Sequence, residues 1–139
     1  MEKQQNVSLA NWLDLSQMIA VVDSEMERQL KENVNLALNE FYVLHFLSIE
    51  ESKKMRLQHL EERVGLSQSA LSRLISRMED KRCGVINRHV CTDDKRGIYI
   101  SITDKGLKKL VEAEKVADGV LKQAVQQYPL LTDFYRTKT

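Results

Sequence analysis

Between Ser67 and Arg77 the chain sets short hydroxyl and amide side chains beside guanidinium groups: Ser67, Gln68, Ser69, Ser72, Arg73, Ser76 and Arg77. From Gln68 onward, successive members lie one, three or four residues apart, so on a helix they share one side. Serine and glutamine can reach a base edge without blocking close approach, and arginine pairs with guanine or with phosphate. Further cations follow at Lys81, Arg88, Lys95 and Arg96, with His89 among them. Lys95 and Arg96 sit in the charged turn Thr92-Asp93-Asp94-Lys95-Arg96-Gly97, and a narrow minor groove attracts arginine. Recognition of double-stranded DNA is the chemistry these residues suggest together. Taken singly, the helix face could equally be a solvated surface, and Asp93 and Asp94 could neutralise the turn.

Other chemistry is thinly supported. Cys83, His89 and Cys91 could make a metal site or a redox pair, and His89 and Cys91 would point the same way on a strand. A closed zinc site needs four ligands, and no standard two-cysteine spacing occurs. No metal and no cofactor are therefore expected, and both cysteines read as small packing residues. A redox-sensing thiol stays open. His45, between Leu44 and Phe46, reads as a satisfied or half-exposed core histidine, and His59 as solvent-facing. There is no glycine-rich phosphate loop and no nucleophile elbow. Asp93 and Asp94 are adjacent on a flexible tip, a poor place for paired acid and base work, so no enzyme is expected.

The helix and the turn need elements to hold them. Periodicity predicts a first helix over 8–31, capped by Ser8, with Leu9, Trp12, Leu13, Leu15, Ile19, Val22, Met26 and Leu30 at helical spacing. Lys31 to Leu38 reads as a connection. A second helix is expected to start at Asn39, with Leu38 and Val43 as a hydrophobic staple, and to end near Ser48 to Ser52. Arg56 to Val64 forms a third, with Leu57, Leu60 and Val64 inward. Gly65 suits a left-handed C-terminal cap, and Ser67 caps a fourth helix running from Gln68 to about Lys81. Ala70, Leu71, Leu74, Ile75 and Met78 form its inner stripe. Two helices joined by a short turn holding a glycine make a helix-turn-helix. The period then changes to two: Val85 to Cys91 and Gly97 to Thr103 read as a hairpin. Thr103 caps a last long helix from Asp104 to about Gln127, which Pro129 stops. Leu130, Leu131, Phe134 and Tyr135 add one or two further turns.

Composition and charge agree with this reading. The chain has 139 residues, 42% of them hydrophobic and 29% charged, an ordinary globular mix. No apolar run is long enough to cross a bilayer and no signal core is visible, so a cytoplasmic protein with no membrane partner is the expectation. The formal net charge of +1 hides a segregation. Residues 1–52 carry three Lys/Arg against nine Asp/Glu, residues 53–103 eleven against six, and residues 104–139 seven against five. The positive charge thus gathers in the middle third, around the helix-turn-helix and hairpin.

The wing signature Arg88…Asp94-Lys95-Arg96, followed by Ile100-Ser101-Ile102-Thr103-Asp104-Lys105-Gly106, resembles that of the MarR family of winged-helix transcriptional regulators. Leu57 to Leu66 and then Ser67 to Met78 are similar to its helix-turn-helix. The resemblance runs from about Leu9 to Ala124. It implies a mainly α fold with a small β-hairpin wing, in a single domain spanning 1–139. Residues 39–103 would be the winged DNA-binding region, and 8–31 and 104–139 the helices of an obligate homodimer. It implies a sequence-specific repressor on a pseudo-palindromic operator, with the 67–81 helix in the major groove and the 92–97 wing in the minor groove. Asp94 would anchor the wing and Arg96 would reach the minor groove. Trp12 and Met18 would line a pocket for a small aromatic effector, or else serve core or dimer packing. The chain departs from the pattern in a link at 81–86 that is one residue longer, and in having ten residues after Pro129. Two long helices with apolar stripes at opposite chain ends call for a second copy in their own right. The rival readings are a winged-helix module that binds protein instead of DNA, and a ligand- or thiol-responsive sensor.

Overall fold

The computed structural model describes residues 7–80, 82–90 and 97–138. Helix α1 spans Leu9–Val34, and the Ser8 hydroxyl accepts from the Asn11 amide at 3.3 Å, as the sequence predicts. It runs three residues past the expected end because the buried stripe of Met26 and Leu30 continues to Val34. Asn35 closes it in the left-handed region at φ 50°, a conformation asparagine tolerates. Helix α2 spans Leu38–Ile49 and does not begin with an Asn39 cap. The Glu40 carboxylate reaches back to accept from the Ala37 amide at 2.8 Å, so the acid three residues in fixes the start.

A short strand that sequence patterning missed, β1, spans Lys54–Arg56. Helix α3 follows at Leu57–Val64 and starts one residue later than expected, because Arg56 belongs to β1. Gly65, at φ 78°, ends it in the left-handed conformation anticipated for a glycine cap. Helix α4 spans Gln68–Glu79. It stops short of Lys81, which lies outside the described residues. The Asp80 carbonyl instead accepts from the Cys83 and Gly84 amides at 2.8 and 2.7 Å. Strands β2, Ile86–Val90, and β3, Ile98–Ile102, form the hairpin, each inside its expected bounds. The three strands are antiparallel in the order β1-β3-β2.

Helix α5 spans Asp104–Gln127, and the Thr103 hydroxyl accepts from the Gly106 amide at 3.0 Å. Pro129 both ends α5 and opens helix α6, Pro129–Lys138, where its missing N–H costs nothing in the first turn. That is longer than the one or two turns expected. Helix α1 packs along α5, which also touches α2 and α6. Leu30, Leu44, Leu47, Leu60, Ile75, Met78, Ile86 and Ile100 are fully buried, so one core joins the long helices to the helix-turn-helix and the sheet. Among the described residues, no helix is long and apolar enough to cross a membrane.

Candidate nucleic-acid interface

Helix α4 is two-sided. Leu71, Leu74, Ile75 and Met78 are buried, while Ser67, Gln68, Ser69, Ser72, Arg73, Ser76 and Arg77 are all exposed. The structure thus brings seven of the predicted site residues onto one outward surface. Ser67 also caps the helix, its hydroxyl accepting from the Ala70 amide at 3.2 Å, with the Ser69 hydroxyl 3.4 Å away. Burying the far side fixes the helix against α3 and the sheet, so the polar side is rigidly presented. Among the described residues neither Arg73 nor Arg77 has an ion-pair partner.

The wing is tied to the rest at its base. The Thr103 hydroxyl donates to the Gly84 carbonyl at 2.7 Å, and the Thr103 amide donates to the Val85 carbonyl at 3.0 Å. Lys105 donates to the Arg82 carbonyl at 3.0 Å. A Cβ on Gly106 would lie 2.2 Å from the Val85 carbonyl oxygen, so only glycine allows this approach. These contacts give the Thr103-to-Gly106 motif its physical role. Gly84, at φ 57°, turns the chain toward β2.

Arg88 is engaged within the protein: its guanidinium lies 3.3 Å from the carboxylate of Glu79, at the end of α4. His89 shares a hydrogen bond of 2.7 Å with Ser101 across the hairpin. Lys81, Asp94, Lys95 and Arg96 lie outside the described residues, as do Asp93 and Cys91. Sequence reasoning missed Lys54, Arg56 and Tyr99, which meet on the sheet. The Lys54 ammonium and the Arg56 guanidinium each lie 5.5 Å from the centre of the Tyr99 ring, and Arg56 Nε donates to the Tyr99 hydroxyl at 3.1 Å. The only local signal was the alternation Lys54-Met55-Arg56, too short to register as a strand.

The proposed effector residues are not brought together in a pocket. Trp12 is 60% exposed on the first turns of α1, and Met18 is buried. A groove of about 570 Å3 does run between α1 and α5, bounded by Val21, Glu25, Arg28, Val120, Ala124 and Tyr128, and neither Trp12 nor Met18 lines it. The Arg28 guanidinium, with help from the Gln29 amide, holds the Glu25 carboxyl down to about 2. His45 lies on the exposed side of the alternatives, its ring set edge-on to Phe46 at 5.4 Å. The turn of α2 places it outward between two inward neighbours. His59 is exposed on α3, and Cys83 is an exposed free thiol. Among the described residues, no three His, Cys, Asp or Glu gather as a metal site would require.

This arrangement matches known proteins closely in shape and distantly in sequence. The family model for the transcriptional regulators SarA/Rot matches residues 25–113, which hold the whole helix-turn-helix and wing. AbsC, a MarR family transcriptional regulator from Streptomyces coelicolor, superposes with a TM-score of 0.81 at 21% identity, over 99% of this chain and 93% of that one. Sco3205, a MarR family transcriptional regulator from the same organism crystallised in complex with DNA, gives 0.79 at 20% identity, over 99% and 90%. NadR in complex with 4-hydroxyphenylacetate gives 0.70 at 18% identity, over 99% and 96%. The winged-helix fold implied by the wing signature is therefore the fold found, and AbsC and Sco3205 are regulators of transcription. On the match across its helix-turn-helix and wing, the chain belongs to the SarA/Rot family of transcriptional regulators, built on the MarR-type winged helix.

Proposed function

We propose that the protein is a homodimeric repressor in the cytoplasm that occupies a pseudo-palindromic operator, one α4 helix entering the major groove of each half-site. The observation that carries this reading is the outward side of α4: seven polar and cationic side chains stand exposed on a helix whose other side is locked in the core. Ser69, Ser72, Ser76 and Gln68 are assigned to base edges or their neighbourhood. Arg73, Arg77, Lys81 and Lys95 are assigned to phosphates, and Ser67 to the phosphate nearest the helix start. Arg96 enters the minor groove, with Asp94 anchoring the wing. Arg88, grouped by the sequence with the DNA-facing cations, is assigned instead to bracing the wing against α4 through Glu79.

Dimerisation is supported by apolar side chains left exposed at both chain ends. Leu9, Trp12 and Leu13 on α1, and Leu130, Phe134 and Tyr135 on α6, are each at least 40% exposed. Pairing the ends would bury them and set two α4 helices about one turn of DNA, roughly 34 Å, apart. NadR crystallises with 4-hydroxyphenylacetate, a small aromatic acid, which supports a small aromatic effector for this chain too.

Selecting bound fragments from genomic DNA tests the reading. A shared inverted repeat is the expected outcome, and recovery of fragments with no common site would contradict it. In a gel-shift titration on that site, Arg96→Ala should weaken binding while leaving the dimer intact.

A further inference from the structure

We infer that α6, short as it is, seats in the groove between α1 and α5 of a second copy, so that each protomer fills the other's groove; the inference rests on the dimer reading above. Helix α6 finds little cover in its own chain. None of its residues is buried, and Leu130 and Phe134, four apart on one side, are 55% and 54% exposed. A helix of ten residues is marginal alone, and packing of its apolar side supplies most of the stability such a helix has.

The chain's own groove is out of its reach. Thr132 ties α6 to the end of α5, its hydroxyl donating to the Val125 carbonyl at 2.5 Å. Tyr135 then lies with Leu121 and Val125 on one side of α5. Val120, Ala124 and Tyr128 line the groove on another side, and among the described residues none of α6 borders it. An apolar groove and an apolar helix side therefore stand on different flanks of one α5. A two-fold axis satisfies both at once, because the same contact is then made twice.

Length, shape and charge select α6 as the occupant. The α1 wall runs from Gln17 to Arg28, about 16 Å at 1.5 Å per residue, and α6 is about 15 Å long. Val21, 49% exposed, and Val120 offer apolar contact, while Ala20 and Ala124 leave room for a ring such as Phe134 of the partner subunit. At the rim one guanidinium, Arg28, answers two carboxylates, Glu25 and Glu32, which leaves negative charge there. Helix α1 as a whole carries five Asp and Glu against two Lys and Arg, whereas α6 carries Arg136 and Lys138 against Asp133. Docking α6 on α1 brings opposite charges together, and pairing α1 with α1 would oppose two acidic helices.

The test is the dimer dissociation constant of the full chain, measured by sedimentation equilibrium under reducing conditions. Val21→Glu and Phe134→Glu alter side chains that a single chain leaves exposed, so each protomer keeps its fold, which far-ultraviolet circular dichroism checks. Each should raise the dissociation constant about 10-fold or more. Val21→Lys with Phe134→Glu should lose less than the two single effects multiplied, because opposite charges then meet in each groove. Single effects that simply multiply would place α6 elsewhere and overturn the inference. Wild-type dimerisation in Val21→Glu, beside dissociation in Leu13→Glu, would overturn it too, leaving the dimer standing and the groove to a small ligand. An equal loss in Val111→Glu, 53% exposed on α5 away from the groove, would overturn it as a general charge effect. A monomeric wild type would remove the dimer reading, and the inference with it.

Discussion

At the scale of single residues, Arg88 carries the sharpest distinction. Its guanidinium and the Glu79 carboxylate are each about one-third exposed, 32–33%, and 3.3 Å apart. A pair this accessible contributes at most about 1 kcal/mol to stability. Its effect is placement, because it joins the end of α4 to the middle of β2. Glu79→Gln and Arg88→Gln should weaken operator binding alike, up to about 5-fold, and the double variant should bind no worse than either. Were Arg88 a phosphate contact, Glu79→Gln would tighten binding and only Arg88→Gln would lower the salt slope; one set of titrations separates the two. Gly106 makes the second residue-scale prediction. A Cβ there would lie 2.2 Å from the Val85 carbonyl oxygen and 2.7 Å from Ile102 Cγ1, so Gly106→Ala must displace the wing base. A loss of about 1–3 kcal/mol in urea unfolding is expected.

At the scale of elements, the caps explain why so much of the fold could be read from the sequence. Ser8, Ser67 and Thr103 each accept from an amide three residues on, a contact that depends only on neighbours in the chain. The start of α4, its two faces and the full extent of α5 were legible for this reason, as were the seven outward side chains. Ser67→Ala should cost about 1 kcal/mol, measured by urea unfolding, because it removes the cap. Features decided by distant partners were not legible. Strand β1 exists because Lys54, Met55 and Arg56 pair with Ser101, Ile100 and Tyr99, over 40 residues away. Three residues carry too little period to announce this, so the Tyr99 cluster was invisible too. The Arg88 and Glu79 pair also needs the hairpin folded back on α4. The start of α2 was misplaced because Glu40, and not Asn39, supplies the capping oxygen.

At the scale of the whole molecule, the account needs two copies. Leu13 is 56% exposed and Phe134 54%, large apolar groups that a lone chain leaves in water. Wild-type protein should sediment at twice the 16.1 kDa chain mass, and Leu13→Glu with Phe134→Glu should shift it toward the monomer and weaken operator binding steeply. A monomer that keeps full operator affinity would refute the dimer. Whether α4 lies in the major groove is answered by dimethyl sulfate, which methylates guanine N7 there. On a selected operator, two patches of protected guanines about one helical turn apart are expected. Saturated binding with every guanine N7 as reactive as in free DNA would contradict it.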